Sequence, residues 1–250
     1  MNNLKSTQKV IAVLPCRISS TRLFAKPLQY IDEYQILHLL IIQLKKSSLL
    51  HEIVLAISND SGSKLYVDLA KKLKIPYVLG SDSDVLGRLI KGVKKVNGNI
   101  LLRATSENPY IFWEGIDSLI NNHISGKYDL TFYKNLPIGA TYELVNLQSL
   151  EIAHKYGAAK HRSEYSTLYF FENQNKFSIN PVLPKKSLQY PKIRLTVDTP
   201  EDLIVAKIIY NKLGMKANPI KLEKIITFLN SNKKIMKYNS NIQLKYKYYL

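Results

Sequence analysis

A short basic stretch near the beginning of the chain contains the first residues whose types suggest chemistry. Between residues 15 and 27, three cations stand among three hydroxyl residues, namely Arg17, Arg22 and Lys26 with Ser19, Ser20 and Thr21. Guanidinium forks and an ammonium charge suit a polyphosphate, and hydroxyl groups can complete the cradle around it. The sequence has neither a Walker loop nor the glycine fingerprint of dinucleotide-binding proteins. The stretch therefore predicts a phosphate-binding loop of another type, with a solvated basic loop as the alternative.

Two acids far along the chain could hold a metal ion beside such a phosphate group. Glu107 and Asp198 each follow an apolar run that predicts a strand. Mg²⁺ takes one or two carboxylates together with phosphate oxygens, so these acids could jointly hold a magnesium ion that bridges a triphosphate. Each acid alone is ambiguous, because Asp198 also precedes an ordinary helix start. The combination with the basic stretch favours a nucleotide site.

Alternating strands and helices in the first half would position these residues. Apolar runs predict strands at residues 10–14, 53–57, 77–79 and 100–104, and helical patterns fill residues 36–46, 63–73 and 85–96. This order predicts an α/β fold with a mainly parallel sheet flanked by helices. The ligand crevice of such a sheet lies at the carboxyl ends of its strands. The basic stretch and Glu107 both follow a predicted strand, so both should reach that edge.

The second half is less regular. Its predicted helices are at residues 113–122, 150–156 and 163–171, and its predicted strands are at residues 129–132, 143–147 and 193–197. The run Thr199-Pro200-Glu201-Asp202 supplies the start of a helix through residue 212, with Asp202 facing solvent or serving the cap. No linker or repeat divides the chain. We therefore predict one domain at residues 1–229 and a basic tail rich in Tyr, Asn and Lys at residues 230–250, with an ordered arm on a partner subunit as the alternative for the tail.

Composition narrows the class of protein further. The 250 residues carry a formal net charge of +17, which attracts anions such as nucleic acid, anionic lipid or phosphorylated metabolites, although an AT-rich genome would also explain it. Cys16 is the single cysteine, so no internal disulfide can form and the cytoplasm is the expected compartment. No apolar run approaches the length of a membrane span and no export leader is evident, so no membrane partner is expected.

The basic stretch and four later segments together resemble a known family. Residues 11–28, IAVLPCRISSTRLFAKPL, are similar to the signature R-x-x-S-x-R-L-P-G-K of the cytidylyltransferases that activate sugar acids, among them the CMP-KDO and CMP-sialate synthetases. Four later segments are similar to the spore-coat-polysaccharide branch of these enzymes, the SpsF-like proteins. These segments are residues 84–88, 103–109, 137–143 and 195–203. The resemblance extends over about residues 10–212.

This resemblance implies a nucleotide-diphospho-sugar transferase fold, GT-A-like and Rossmann-like, in an enzyme that uses CTP and Mg²⁺. The implied reaction is an attack by an oxygen of a small acceptor on the α-phosphate of CTP, with release of pyrophosphate. The implied acceptor is a sugar acid or a related phosphorylated precursor of surface polysaccharide or glycoconjugate. The implied catalytic residues are Arg17, Arg22 and Lys26. The implied nucleotide-binding residues are Pro15, Arg17, Ser19, Ser20, Lys26, Asp84 and Arg103.

The other implied sites are those of the acceptor and the metal. Glu143 and Glu164 fall at the family's acceptor pocket, and we add the neighbours His161 and Arg162 as candidate members. The implied metal ligands are Glu107 and Asp198. Related enzymes are dimers, so a homodimer is expected by analogy.

The sequence departs from the family pattern at several positions. Phe24-Ala25 stands where Pro-Gly is preferred, which predicts a stiffer loop, and Glu107 stands where aspartate is usual, which adds one methylene. Thr141 and Tyr165 stand where an acid and a histidine are common. These last two departures concern the acceptor side of the predicted site.

Two functions of other classes stay open at this level. A glycosyltransferase of similar fold would use a nucleotide sugar, and Asp82-Ser83-Asp84 formally matches its Asp-x-Asp motif, although at a helix start. A nucleic-acid-binding protein would use the +17 charge and the 17 tyrosines as a basic groove with stacking platforms. The lysines are spread over predicted helix faces and the tail, so nucleic acid is not an expected partner.

Overall fold

Strands and helices alternate along the computed structural model, which describes residues 8–20, 22–214 and 219–242. The strands are β1 (Val10–Cys16), β2 (Tyr30–Ile31), β3 (Tyr34–Gln35), β4 (Leu50–Ser58), β5 (Tyr77–Gly80), β6 (Ile100–Arg103), β7 (Leu130–Tyr133), β8 (Glu143–Asn146) and β9 (Ile179–Val182). The α-helices are α1 (Ile36–Leu44), α2 (Ser63–Leu73), α3 (Val85–Lys95), α4 (Ile116–Gly126), α5 (Leu147–Tyr156), α6 (Leu168–Glu172), α7 (Pro200–Leu213), α8 (Leu222–Ser231) and α9 (Lys233–Met236). Short 3₁₀ turns lie at Lys26–Leu28, Trp113–Gly115, Ala159–Arg162, Gln174–Lys176 and Lys186–Leu188.

Seven of these strands form one sheet in the order β5-β4-β1-β6-β8-β7-β9. Neighbouring strands pair in parallel, except that β8 runs antiparallel to both β6 and β7. β2 and β3 form a separate antiparallel hairpin. Because β1 and β6 are parallel neighbours, the loops that follow them leave the same edge of the sheet side by side.

β1 is buried on both faces, which explains its continuous apolar sequence. Val10, Ala12 and Leu14 pack into one hydrophobic cluster, whereas Ile11 and Val13 pack into the other. The first cluster joins the sheet to α1, α2, α4, α7 and α8, and the second joins it to α3, α5 and α6. The two layers of helices therefore fix the central strand and the direction in which its loop departs.

The predicted fold class is confirmed: the sheet is mainly parallel and helices flank it. In the first half, α2 occupies the predicted residues 63–73, and the other strands and helices differ from prediction by a few residues at their ends. β2, β3, β9, α8 and α9 were not predicted. β2 and β3 have two residues each, and Pro181 interrupts β9, which is tolerated because β9 lies at the edge of the sheet.

The predicted strand at residues 193–197 is wrong. This segment is extended but makes an isolated parallel bridge between Arg194 and Ile138, a residue outside the strands. The close approach requires a glycine beside the bridge, since Gly139 has φ 87° and a Cβ there would lie 2.5 Å from the nitrogen of Thr196. The segment therefore runs alongside a loop, and no ladder extends it into a strand.

The predicted helix at residues 163–171 is wrong in its first part, because α6 begins at Leu168. The preceding residues bind groups of the sheet. The hydroxyl of Thr167 donates to Glu143 Oε1 at 2.8 Å, and the carbonyl of Glu164 accepts from Arg103 Nη2 at 2.6 Å. These tertiary contacts replace the first helical turn.

The predicted boundary at residue 229 falls inside α8. α9 follows, and the side chain of Asn239 is buried, so the folded part of the chain continues into the predicted tail. Residues 243–250 of that tail lie outside the described residues. Among the helices that are described, none is both long and apolar enough to cross a membrane.

Candidate active site

An open cleft lies where β1 and β6 end. It encloses about 590 Å³ of empty space, part of which is continuous with solvent. The residues that line it come from the ends of β1 and β6 and the loops after them, from α3 and from the segment before α6. They are Pro15, Arg17, Ser19, Ser20, Lys26, Pro27, Val85, Arg88, Arg103, Thr105, Ser106, Glu107 and Glu164. The cleft thus occupies the edge at which parallel α/β sheets bind ligands.

The end of β1 and the loop after it are held by hydrogen bonds to their backbone. The hydroxyl of Tyr66 donates to the carbonyl of Arg17 at 3.0 Å, and the hydroxyl of Ser106 donates to the carbonyl of Pro15 at 2.7 Å. The loop closes where the amide of Ala25 donates to the carbonyl of Ile18 at 3.2 Å. Thr21, the third predicted hydroxyl of this loop, lies outside the described residues.

Ala25 occupies a conformation that favours glycine. Its φ of 47° and ψ of 45° are left-handed, and it directly precedes the 3₁₀ turn that begins at Lys26. An alanine in this region of backbone space is strained by roughly 1–2 kcal/mol because its Cβ crowds the following carbonyl. The departure from Pro-Gly at residues 24 and 25 therefore places strain next to the cationic side chain of Lys26.

Asp198 is the meeting point of three cations. Its Oδ1 lies 2.6 Å from Lys26 Nζ and 3.1 Å from Arg22 Nη2, and its Oδ2 lies 2.9 Å from Arg194 Nη2. Burial alone would raise the pKa of Asp198, but these three positive charges overcome that effect and hold the pKa below its usual value. Lys26 and Asp198, which are 172 positions apart in the sequence, therefore face each other directly.

Glu107 lies close to Asp198 because the two loops are joined through their backbones. The amide of Val197 donates to the carbonyl of Glu107 at 3.2 Å. Burial raises the pKa of the Glu107 carboxyl, and the negative charge of Asp198 raises it further, while Lys26 opposes this shift. The two predicted metal ligands are thus brought together, and their mutual repulsion would be relieved by a cation.

The donor set suits a metal that takes few protein ligands. Among the described residues there is no group of three or more His, Cys, Asp or Glu side chains that could hold a metal ion. Mg²⁺ commonly binds through one or two carboxylates and fills its other positions with water and phosphate oxygens. Glu107 and Asp198 fit that pattern when Lys26 and Arg22 release Oδ1 of Asp198.

Arg103 reaches the cleft from the end of β6, opposite Glu143 in the antiparallel pair with β8. Arg103 Nη1 lies 2.9 Å from Glu143 Oε2, and the other Glu143 oxygen accepts from Thr167. Glu143 is 2 % exposed. Its contacts therefore hold Arg103 in place, and Glu143 is not among the described residues that line the cleft.

Glu164 does line the cleft and pairs with Arg17 on its rim. The distance between Arg17 Nη2 and Glu164 Oε2 is 3.1 Å, and the two side chains are 44 % and 47 % exposed. Exposed pairs of this kind contribute about 0–1 kcal/mol. Arg17 can therefore exchange Glu164 for an anionic ligand at little cost.

Arg22 and Asp198 contact Lys26 or its partner but are not among the described residues that line the cleft. The same holds for Asp84, His161 and Arg162, which make their contacts away from it. Asp84 caps α3 by accepting from the amide of Gly87 at 2.8 Å, and its Oδ2 lies 2.7 Å from His154 Nε2. His161 accepts at Nδ1 from the amide of Ala158, so its Nε2 carries the proton and donates to Glu172 at 2.8 Å. Arg162 donates to the carbonyl of His154 at 3.1 Å. These contacts position α3, α5 and the turn before α6.

Arg88 is a residue of the cleft that the sequence did not single out as a site residue. It is 2 % exposed, and its Nη1 donates to the carbonyls of Ser81 and Asp82. Burial lowers the pKa of Arg88, and within the described chain its buried Nε has no hydrogen-bond partner. The sequence signal that could have identified Arg88 is its position on the apolar face of α3, where Val85 and Leu89 are buried.

Cys16 has the packing role expected from its position at the end of β1. It is fully buried in the hydrophobic core, and burial raises the pKa of its thiol far above the usual range. A thiol in this state is not a nucleophile.

Comparison with known proteins shows the family of the chain. The sequence matches the family model described as cytidylyltransferase over residues 11–244. MJ1063, an uncharacterised protein of Methanocaldococcus jannaschii, is 31% identical over 239 residues, which are 95% of this chain and 97% of that protein. The spore coat polysaccharide biosynthesis protein SpsF of Bacillus subtilis is 26% identical over 228 residues, which are 89% of this chain and 95% of SpsF.

Two solved structures show the same fold. A cytidylyltransferase from Leptospira borgpetersenii serovar Hardjo-bovis gives a TM-score of 0.84 at 22% identity, over 96% of this chain and 100% of that chain. The CMP:2-keto-3-deoxy-manno-octonic acid synthetase complexed with CTP gives a TM-score of 0.63 at 14% identity, over 82% of this chain and 99% of that chain. Their fold is that of the nucleotide-diphospho-sugar transferases, as the sequence predicted. The chain belongs to the cytidylyltransferase family, and the protein is a nucleotidyltransferase.

Proposed function

We propose that the protein transfers CMP from CTP to a small acceptor and releases pyrophosphate. The acceptor is a sugar acid or a related phosphorylated precursor of a surface polysaccharide or glycoconjugate. The observation that carries the proposal is the contact of 2.6 Å between Lys26 and Asp198 beside Glu107. It joins the phosphate-binding side of the predicted site to its metal-binding side.

The names of two similar proteins support the two proposed substrates. SpsF is named for spore coat polysaccharide biosynthesis, and the synthetase of similar fold was solved with CTP bound. The first name concerns a polysaccharide and the second a synthetase for CMP and a sugar acid, and this chain spans most of each protein. CTP and a sugar-type acceptor are therefore the substrates we propose here.

The basic side of the cleft provides the charge that a triphosphate needs. Lys26, Arg17 and Arg103 line the cleft, and Arg22 contacts the same Asp198 oxygen as Lys26 does. Phosphoryl and nucleotidyl transfer depend on positioning and on electrostatic stabilisation of the oxygens that gain charge. In our proposal these cations bind the β- and γ-phosphates and stabilise the departing pyrophosphate.

The acid side of the cleft would hold the metal ion. Glu107 and Asp198 would bind Mg²⁺, which when bound neutralises phosphate charge and orients the α-phosphate for attack. Lys26 and Arg22 would then leave Asp198 for phosphate oxygens. The positive charge that surrounds Asp198 in the free enzyme is thus already in place for the nucleotide.

The acceptor would enter at the rim formed by Glu164. Of the four acceptor residues predicted from the sequence, Glu164 lines the cleft, whereas Glu143, His161 and Arg162 make the contacts described above. We propose that Glu143 acts on the site through Arg103. The roles of His161 and Arg162 toward the acceptor stay predictions, as do the homodimer, the cytoplasmic location, the single domain and the absence of nucleic-acid and membrane partners.

The rival functions find no specific support in the site. The formal Asp-x-Asp of a glycosyltransferase is engaged at the start of α3, where Asp84 is the cap and Asp82 lies 4.0 Å from Arg88. The affinity for nucleic acid that a net charge of +17 favours can be measured directly. Tight, salt-sensitive retention of RNA or DNA on a filter would favour that function over ours.

The experiment that tests the proposal is a pyrophosphate-release screen. The four ribonucleoside triphosphates are each incubated with Mg²⁺ and a panel of sugar acids, sugar phosphates and polyol phosphates. We expect release with CTP, dependent on one acceptor and abolished by a chelator. Release with another nucleotide in preference to CTP, or no release with any pair, would contradict the proposed function.

A further inference from the structure

A buried network connects Asp198 to a residue near the end of the described chain. Arg194 Nη2 contacts Asp198 Oδ2 at 2.9 Å and Asp202 Oδ2 at 3.0 Å, and Arg194 Nε contacts Asp202 Oδ1 at 2.8 Å. Asn239 Nδ2 donates to Asp202 Oδ1 at 2.9 Å and to the carbonyl of Arg194 at 3.3 Å. A continuous chain of hydrogen bonds therefore joins Asn239 to the carboxylate of Asp198.

Asp202 is the centre of this network and also fixes the backbone of Asp198. Its Oδ2 accepts from the amides of Asp198 at 3.0 Å and Thr199 at 3.2 Å, and the Thr199 hydroxyl caps α7 in return. The position of Asp198 therefore depends on Asp202 twice, through its main chain and through Arg194.

Burial makes this network rigid. Arg194, Asp202 and Asn239 are 6 %, 1 % and 4 % exposed. Hydrogen bonds to charged groups are stronger where water is excluded, and a buried carboxylate left with fewer donors is destabilised. The amide of Asn239 adds a donor to Asp202 without adding charge, so the pairing of Arg194 with both acids is preserved.

We propose that Asn239, which lies in the C-terminal segment at residues 232–242, is a positioning residue of the active site and acts through Asp202 and Arg194 to set the carboxylate of Asp198 for its ligand. Asn239 is a positioning residue in this proposal, because its contacts are with Asp202 and Arg194. The inference rests on the proposed function in so far as Asp198 is a metal ligand. It gives a role to residues that the sequence analysis had placed in a tail.

The test compares Asn239→Ala with Asn232→Ala in the full chain. Asn232 lies in the same segment, and its exposed side chain donates to the carbonyl of Phe228, away from the network. The dissociation constant for Mn²⁺ alone is measured by electron paramagnetic resonance, and the Mg²⁺ requirement and kcat are measured by pyrophosphate release. Residues that hold metal ligands in place typically change metal affinity by 10–100-fold when removed. We expect Asn239→Ala to weaken Mn²⁺ binding and raise the half-saturating Mg²⁺ about tenfold, and Asn232→Ala to leave both unchanged.

A second variant and a second background separate positioning from mere stability. Asn239→Asp keeps the shape of the side chain but turns an oxygen toward Asp202, so it should weaken metal binding more than Asn239→Ala does. In an Asp198→Asn background, Asn239→Ala should cause no additional loss, because the residue through which it acts is gone. An additive loss in that background would indicate a general destabilisation and overturn the proposal.

The remaining outcomes distinguish this inference from the proposed function. If the wild-type protein releases no pyrophosphate with any nucleotide, the proposed function fails, and the Mn²⁺ titrations still decide the role of Asn239. If Asn239→Ala matches wild type in both metal measurements, the inference is overturned and the proposed function stands. If the wild-type protein shows neither Mn²⁺ binding nor a Mg²⁺ requirement, Asp198 is not a metal ligand and the inference is overturned.

Discussion

The two sides of the cleft are built in different ways. On the basic side, Arg17 and Glu164 form an ion pair whose side chains are 44 % and 47 % exposed. On the acid side, Arg194 and Asp202 form one whose side chains are 4 % and 0 % exposed. The first pair is screened by water and easily broken, whereas the second cannot lose a partner without leaving a buried charge. Arg17 can thus exchange its partner easily, whereas Arg194 stays with its buried carboxylate.

This difference suits a site that must admit a highly charged substrate. Lys26 and Arg22 balance Asp198 in the free enzyme, and the buried Arg194 continues to do so when they leave. Four variants, ordered from the largest expected effect to the smallest, can break or sharpen this comparison.

Removing the buried cation should have the largest effect on stability. Arg194→Ala leaves Asp198 and Asp202 without their shared partner, so we expect a loss of about 3–5 kcal/mol in the free energy of unfolding. Arg17→Ala breaks the exposed pair and should change the free energy of unfolding by less than about 1 kcal/mol. Urea denaturation of both variants measures the contrast. Equal losses would show that the two sides are not built differently.

Removing Lys26 should affect activity more than stability. Lys26→Ala deletes a cation that we propose to stabilise the pyrophosphate, and the loss of one such group typically lowers kcat by about 10²–10³-fold. Lys64→Ala is the matched control, because Lys64 is 83 % exposed and pairs with Asp68 on α2. Steady-state kinetics of CTP turnover measure both variants. Full turnover by Lys26→Ala would contradict the proposed role of the basic side.

Neutralising Glu107 should raise stability while it lowers activity. The pKa of Glu107 is raised by burial and by Asp198, so its ionised form is unfavourable in the folded protein. The protonated Glu107 side chain contributes favourably to the free energy of unfolding at low pH. This contribution is lost as the pH rises through the raised pKa of the folded state. Glu107→Gln mimics the protonated form, so we expect a gain of roughly 0.5–2 kcal/mol at neutral pH and none in acid. Urea denaturation at several pH values measures this gain, and a gain that does not depend on pH would contradict the assignment.

Relieving the strain at Ala25 should have the smallest effect. Ala25→Gly allows the left-handed backbone without crowding, and we expect a gain of about 1 kcal/mol in the free energy of unfolding. Ala158→Gly is the control, because Ala158 has an extended backbone with φ −77° and should lose stability or stay unchanged. Thermal unfolding of both variants measures the difference. A loss on Ala25→Gly would show that the loop does not hold the left-handed conformation.

The sequence predicted the first half of the fold well because its signals are local. The apolar run of β1 ends in the basic loop, and the parallel order of β4, β1 and β6 follows from the intervening helices. The convergence of that loop with Glu107 at one edge also follows, because neighbouring parallel strands end together. The family resemblance, carried by continuous motifs, was equally accessible.

The second half was harder because its contacts join distant positions. The strand predicted at residues 193–197 does not form, because an apolar run predicts burial but does not determine whether a neighbouring strand is there to pair with it. Glu143 was predicted at the acceptor pocket, and its antiparallel register with Arg103 buries it beside that residue. In the first half, the buried Arg88 of the cleft was also missed, although its position on the apolar face of α3 was an available signal.

By itself, the amino-acid sequence determined the α/β class, the central buried strand, the chemistry of the basic loop and the membership of a family of enzymes. The tertiary structure alone decided which charges meet. Lys26 and Asp198 are 172 positions apart in the sequence, and Asn239 contacts Asp202, which lies 37 positions before it. Periodicity and motifs record the neighbours of a residue along the chain, whereas the pairing of buried charges depends on the packing of whole elements.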